Sequence, residues 1–263
     1  MGIVKIFSRQ VFCVVILIVP LMAFGTSMAG TVYVDHLATG TVDGSSWGTG
    51  FNTVQAGIDA AVDGDEVWVA EGIYGESITV KSGVALYGGF DGTETLLAQR
   101  NFVEHVSIIN ATDLETSTVT MDSTVNSLVN GFVITGGDGN YGGGFTINSV
   151  DASNGIEHCI IAGNMANFGA GLRVNNSSLS ISDCVISGNK AFSIGGGLYI
   201  YGISSPQLTN CTITGNTASF GGGLRVDISS PTLTNCTISE NKATNSGGGV
   251  YLRQGATSTL INC

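Results

Sequence analysis

Three markers recur in a fixed order about every 26 residues through the second half of this chain. Triplets rich in glycine begin at positions 142, 169, 195, 221 and 247, which are 27, 26, 26 and 26 residues apart. A fixed period of this length indicates a structural unit that stacks on copies of itself, because one short unit cannot bury its own apolar face. The other two markers are cysteines and asparagines, at Cys159, Cys184, Cys211, Cys236 and Cys263 and at Asn164, Asn189, Asn216 and Asn241.

Each unit has the pattern of short β-strands separated by turns. In the copy that begins at Leu208, apolar residues alternate with polar ones around Ile213 and again from Leu224 onward. This period of two is typical of strands with one buried face, and the Gly-Asn pairs and glycine triplets between them are turn signals. We see no helical window between these strands. The sequence therefore predicts an all-β parallel β-helix, or solenoid, with rungs of about 26 residues.

Stacked rungs place equivalent side chains about 4.8 Å apart, so each marker becomes a column along the molecule. We expect the cysteine column to consist of small, buried, apolar side chains. Disulfide bonds between neighbouring rungs are the alternative. We expect the asparagine column to hydrogen-bond from rung to rung through its side-chain amides.

The first 29 residues have the pattern of a secretory signal peptide. Lys5 and Arg9 precede an apolar stretch over 11–21, and small residues lead up to Ala29. A membrane anchor is the alternative, but the apolar stretch is shorter than the roughly 20 residues that a spanning helix needs. We predict an exported protein, extracellular or at the outer-membrane surface, with no membrane span in its mature part.

Loss of the leader removes two basic residues and no acidic one, which leaves 7 basic and 20 acidic residues and a net charge of −13. Such an acidic excess disfavours nucleic acids and anionic membrane surfaces as partners. A polysaccharide or a cell-surface glycan is the partner that we predict.

The mature chain divides into two parts. Residues 30–127 form an N-terminal cap and irregular first rungs, and residues 128–263 form the regular rungs. We predict a short helix over 53–62, capped by Asn52, that covers the open N-terminal edge of the stack. The sequence stops at Cys263, at the start of another rung, so we expect the natural protein to be longer. Short strands are also predicted in the less regular first half of the chain, at 31–34, 66–69, 84–87, 107–109, 118–121 and 131–135.

No motif predicts a catalytic residue, a cofactor or a metal ion. Residues 137–142 match GxGxxG, but a dinucleotide site needs a helix next, and turn and strand residues follow here. No histidine joins the cysteine column. His36, His105 and His158 fall at unrelated positions of the repeat, and we expect no carboxylate beside any of them.

Five segments near the start of the mature chain carry a resemblance to a known family, and they are Tyr33-Val34-Asp35, Gly44-Ser45-Ser46-Trp47, Gly64-Asp65, Val69-Ala70-Glu71-Gly72-Ile73-Tyr74 and Gly88-Gly89-Phe90-Asp91-Gly92. With these segments, the opening of the mature chain resembles that of secreted bacterial right-handed β-helix proteins of the pectin-lyase-like superfamily. The resemblance implies a right-handed parallel β-helix. It also suggests an alternative activity, that of a polysaccharide lyase, hydrolase or epimerase, although the clustered acids of the family's lyases have no counterpart here. The later copies are similar to the repeats of polymorphic outer membrane proteins, with isoleucine where that repeat has phenylalanine.

Arginines and tyrosines alternate at one position of the repeat, directly after the apolar residue that follows each glycine triplet. Strand alternation predicts that they point outward together with the residues two positions on. One interpretation is stabilisation of the sheet by cation–π pairs, each worth about 0.5–1 kcal/mol when exposed. The other is a groove that stacks and hydrogen-bonds glycan rings, which leads us to predict adhesion or glycan binding rather than catalysis. The candidate glycan-binding residues are Arg173, Tyr199, Tyr201, Arg225, Tyr251 and Arg253.

Overall fold

A computed structural model describes residues 29–263. The predicted signal peptide, residues 1–29, lies outside the described residues except for its last position, so its assignment remains a prediction. The described chain winds into a parallel β-helix in which every strand pairs only with strands of neighbouring rungs. The predicted fold class is therefore confirmed. No helix in residues 29–263 is both long enough and apolar enough to cross a membrane.

Four parallel sheets form the sides of the helix, and they are numbered in the order in which the chain passes through them in one regular rung. Sheet 1 has nine strands, Thr31–Val34, Glu66–Ala70, Ala85–Phe90, Leu128–Asn130, Gly155–Glu157, Ser180–Ser182, Gln207–Thr209, Thr232–Thr234 and Thr259–Ile261. Sheet 2 has seven, Gly72–Tyr74, Ser107–Asn110, Phe132–Thr135, Ile160–Ala162, Val185–Ser187, Thr212–Thr214 and Thr237–Ser239. Sheet 3 has five, Asp138–Tyr141, Met165–Phe168, Lys190–Ile194, Thr217–Phe220 and Lys242–Ser246. Sheet 4 has seven, Ile78–Thr79, Val119–Asp122, Phe145–Asn148, Leu172–Asn175, Leu198–Tyr201, Leu224–Asp227 and Val250–Arg253.

The core is a set of apolar columns, because equivalent residues of successive rungs pair in register. Ile161, Ile186 and Ile213 lie directly over one another in sheet 2, and all three are fully buried. Cys159, Cys184, Cys211 and Cys236 form another buried column at the corner between sheets 1 and 2. Their thiols donate to the carbonyl oxygens two residues earlier, at 3.1–3.4 Å. All are free thiols, so the structure contains none of the alternative disulfide bonds between these rungs.

The asparagine column is a continuous chain of hydrogen bonds. The Nδ2 atoms of Asn164, Asn189 and Asn216 each donate to the Oδ1 atom of the next asparagine, at 3.0–3.1 Å. The same Oδ1 atoms accept the backbone N–H groups of the preceding asparagines. These three side chains have no exposed surface. Since a buried amide without partners is costly, the column has to be complete to be stable.

Glycine is required at two places in each regular rung. The first residue of each triplet has a positive φ, for example 66° at Gly195. The third residue lies where rungs touch, so that a Cβ atom at Gly197 would come within 2.5 Å of the Gly223 carbonyl oxygen. Only glycine avoids both the strain and the clash.

The predicted capping helix is present as Val54–Ala60, and 3-10 turns cover Trp47–Thr49 and Leu97–Gln99. Val54 and Ile58 are buried in the open end of the core beside Val34. The predicted N-cap was wrong, because Asn52 donates to backbone carbonyls instead. Thr53 caps the helix by accepting from the N–H group of residue 56 at 3.3 Å.

Candidate functional site

The outer face of sheet 4 carries the two columns that the repeat predicted. Arg173 lies beside Tyr199, and Arg225 lies between Tyr199 and Tyr251, in direct register. The inward residues between these columns, such as Val174, are buried in the core. The second column, at the last residue of each strand, consists of Asn148, Asn175, Tyr201, Asp227 and Arg253.

Flat side chains on this face and at the adjoining edge of sheet 3 pack against one another over several rungs. We name this surface the arginine–tyrosine strip. Its members are Tyr141, Arg173, Tyr199, Tyr201, Phe220, Arg225 and Tyr251.

At one end of the strip, an arginine lies between two tyrosines. The guanidinium carbon of Arg173 is 4.9 Å from the ring centre of Tyr141 and 4.8 Å from that of Tyr201. Tyr201 in turn stacks on Tyr199, with ring centres 4.8 Å apart and planes 8° from parallel. The Arg173 Nη1 atom donates to the Asn148 Oδ1 atom at 2.9 Å. Partial burial lowers the pKa of Arg173 from its ordinary value.

At the other end, the arginine has a carboxylate partner. Arg225 donates from Nε and Nη2 to the carboxylate of Asp227 at 3.0–3.1 Å. The hydroxyl of Tyr199 donates to the same carboxylate at 3.1 Å. Burial, followed by the charge of Asp227, raises the pKa of Tyr199 to about 12. Tyr251 and Phe220 lie over the guanidinium at 5.4 and 6.0 Å.

The structure thus brings five of the six predicted residues into one contiguous surface. Arg253 is exposed at the end of its column. Arg225 lies on the outer face of the sheet, yet only 5% of it is accessible. Strand alternation predicts the side to which Arg225 points but does not predict that Tyr251 and Phe220 cover it.

Sequence reasoning missed the contribution of sheet 3. Tyr141, Phe168 and Phe220 each directly precede a glycine triplet, so they occupy one position of the repeat. The turn at each triplet brings this position against sheet 4, where Tyr141 stacks on Phe168 with ring centres 5.3 Å apart. The fixed position of these aromatic residues in the repeat could have predicted that sheet 3 contributes to this surface.

The strip exposes the edges of its rings and guanidinium groups more than their flat faces. Most of its ring faces are covered by a neighbouring ring or guanidinium, whereas phenol hydroxyl, amide and N–H groups lie along the edges. Tyr141 is the main exception, because half of its surface is exposed. Such a surface suits a ligand rich in hydroxyl groups, which exchanges its hydrogen bonds to water for bonds to fixed partners.

Other ionisable side chains lie away from the strip. The expectation that no carboxylate accompanies a histidine was wrong, because the Nδ1 atom of His105 lies 3.0 Å from the Oε2 atom of Glu71. This hydrogen bond raises the pKa of His105. The pair was missed because its residues lie in connecting segments 34 positions apart, outside the repeat.

An acidic cleft of about 320 Å³ contains Asp113, Glu115 and Asp138 but no basic side chain in its lining. It therefore does not provide the acid and base that the lyase alternative requires. Within residues 29–263, no three or more histidine, cysteine, aspartate or glutamate side chains are grouped so that they could hold a metal ion.

The family model described as "Right handed beta helix region" matches residues 73–263, which include the whole strip. Among solved structures, the chain is similar to pectin methylesterase from carrot, with 15% identity and a TM-score of 0.49 over 88% of this chain and 83% of that one. It is also similar to the pectin methylesterase from Aspergillus niger, with 15% identity and a TM-score of 0.42 over 90% and 87% of the two chains. A search of curated proteins finds no match.

Proposed function

The chain belongs to the right-handed β-helix family, and on this premise we propose that it is an exported scaffold that binds glycans on the arginine–tyrosine strip. The observation that carries the proposal is the mutual packing of the strip. Arg173 is held between two rings, and Tyr201 stacks on Tyr199. Fixed side chains lose little conformational entropy when a ligand binds, so weak hydrogen bonds to sugar hydroxyls yield useful affinity.

The length of the strip favours an extended ligand. It runs across five neighbouring strands of sheet 4, from the rung of Phe145–Asn148 to that of Val250–Arg253. With the usual spacing between strands, this corresponds to about 19 Å. A repeating sugar chain that lies along the helix axis therefore meets similar side chains at regular intervals.

The remaining support comes from sequence. The predicted leader directs the protein to the cell exterior or the outer-membrane surface, where polysaccharides and surface glycans are found. The acidic mature chain is poorly suited to nucleic acids. The similarity of its repeats to those of polymorphic outer membrane proteins, which stays a prediction, is consistent with a role in adhesion.

Alanine variants of the strip test the proposal on a glycan array. We expect Tyr141→Ala, Tyr199→Ala and Tyr251→Ala to weaken binding at least about fivefold, because each loses a ring that contacts the ligand or fixes a neighbour. The matched control is Tyr87→Ala, since Tyr87 also packs on an arginine, 5.0 Å from Arg100, but on sheet 1.

Thermal unfolding must show that each variant remains folded. Unchanged glycan binding in all three strip variants would contradict the proposal. An equal loss in Tyr87→Ala would show that binding does not depend on the strip.

A further inference from the structure

Two rungs of the strip carry almost the same tetrapeptide. One has Leu172-Arg173-Val174-Asn175 and the other has Leu224-Arg225-Val226-Asp227. The leucine and valine are fully buried in both. The last residue is the one that differs in charge, because an asparagine stands where the other rung has the carboxylate partner of its arginine.

The hydrogen bonds of the two guanidinium groups differ accordingly. Arg225 directs Nε and Nη2 at Asp227. Among residues 29–263, Arg173 donates only from Nη1, to Asn148, and its Nε atom is buried without an acceptor. Within the described chain, no carboxylate lies within 4.0 Å of the Arg173 nitrogens.

A guanidinium that is partly removed from water without a counter-ion is unfavourable unless something else supplies the acceptor. Arg173 keeps its charge, since arginine is not deprotonated in proteins. The packing of Tyr141 and Tyr201 against its two faces leaves the edge of the guanidinium as the place for that acceptor.

We infer that Arg173 is the subsite for a single oxyanion, a carboxylate or a sulfate ester, on the glycan bound to the strip. The inference rests on the proposed function. Asp227 shows how an arginine of the strip holds an oxyanion, because its oxygens accept from Nε and Nη2 of Arg225. In Arg173 the Nε atom is buried, so Nη2, which has no acceptor in the structure, is the nitrogen that meets the oxyanion. A guanidinium binds planar and tetrahedral oxyanions by charge-assisted hydrogen bonds from its N–H groups.

The net charge narrows the ligand class further. A mature charge of −13 repels a long polyanion. Arg173 can act on one acidic group at short range, where hydrogen bonds dominate. The ligand class is therefore a largely neutral glycan with isolated acidic groups.

The test compares trisaccharides of galactose, glucose, mannose and N-acetylglucosamine, each in a neutral form, with one uronic acid and with one sulfate ester. Isothermal titration calorimetry with the full chain at low ionic strength gives the affinities. We expect at least one backbone to bind about tenfold more tightly in an acidic form than in its neutral form. The acidic form that binds more tightly identifies the oxyanion as carboxylate or sulfate.

Two variants then assign the preference to Arg173. Asn175→Asp supplies the counter-ion that the other rung already has, and Arg173→Gln removes the charge. Each should abolish the preference for the acidic form, measured as the ratio of the affinities for the acidic and neutral forms. Asn175→Asp, which leaves Arg173 and the rings of the strip in place, should also retain binding of the neutral form. Arg253→Gln, which removes an exposed arginine outside the strip, is the matched control and should keep the preference.

Equal affinity for neutral and acidic forms in the wild-type protein would overturn the inference and leave the proposed function intact. A preference that persists in a folded Arg173→Gln variant would also overturn it. Absence of binding by every backbone would contradict the proposed function as well.

Discussion

The rung of Arg173 and the rung of Arg225 have the same strand length and the same buried side chains, yet they balance an arginine's charge in different ways. The charge of Arg225 is balanced within the protein by Asp227. Together with Tyr199, these residues form a hydrogen-bond network that is almost closed to water. Around Arg173 the network is open and contains amides instead of a carboxylate. The first rung is suited to holding the sheet together, and the second to meeting a ligand.

The comparison teaches how a stacked repeat separates scaffold from function. Inward residues such as Val174 and Val226 must match from rung to rung, because they share one core. Outward residues have no such restriction. One exchange between aspartate and asparagine at the last strand position is therefore enough to convert a structural ion pair into a candidate binding site.

The largest difference between the rungs is expected from Asp227→Ala. The change leaves Arg225 charged, buried and unpaired, which costs about 3–5 kcal/mol in the free energy of unfolding. Urea unfolding measures the loss. Asn175→Ala is the control in the open rung and should cost less than about 1 kcal/mol. Equal losses would show that the Arg225 network is not closed as the structure indicates.

A smaller difference is expected from Tyr199→Phe. This variant loses the hydrogen bond to the Asp227 carboxylate, worth about 1.5–3 kcal/mol for a charged acceptor. Tyr201→Phe keeps its ring stacked on the neighbour and should change stability by less than about 0.5 kcal/mol. The denaturant midpoints of the two variants measure this difference in stability. Indistinguishable midpoints would argue against a role for the Tyr199 hydroxyl.

The smallest expected effect appears at alkaline pH. The pKa of Tyr199 is about 12 in the folded protein, whereas tyrosine in an unfolded chain titrates near about 10. Its contribution to stability is therefore complete below about pH 10 and is lost as the pH rises from there towards 12. Urea unfolding at pH 8 and pH 11 should show a larger drop for the wild type than for Tyr199→Phe. Parallel drops in the two proteins would refute this assignment.

The fold was predictable because the markers recur in register, which determines the residues that lie over one another. Once Cys184, Cys211 and Cys236 recur in frame with the glycine triplets, a stack of rungs is the arrangement that places all of them in columns. Most strands of the first part were predicted to within two residues for a related reason, since each is a short apolar run between turn residues.

The site was only partly predictable. Alternation identified which residues of sheet 4 point outward, but the exposure of Arg225 depends on Phe220, which belongs to another sheet. The Asp227 ion pair also depends on side-chain conformation, which a repeat pattern does not specify. The same limit explains why the predicted N-cap of the capping helix was wrong. Asn52 and Thr53 both suit that position, and only the surrounding backbone selects between them.

The asparagine column also bears on how such a molecule changes its size. Asn189 and Asn216 each give a hydrogen bond to the next asparagine and receive one from the asparagine before, so a duplicated rung inserted within the column would meet partners already in the correct orientation. A gene duplication of about 26 codons would thus lengthen the outer surface by about 4.8 Å without any change to the interior. The length over which the molecule can contact an extended ligand can therefore change during evolution by one rung at a time.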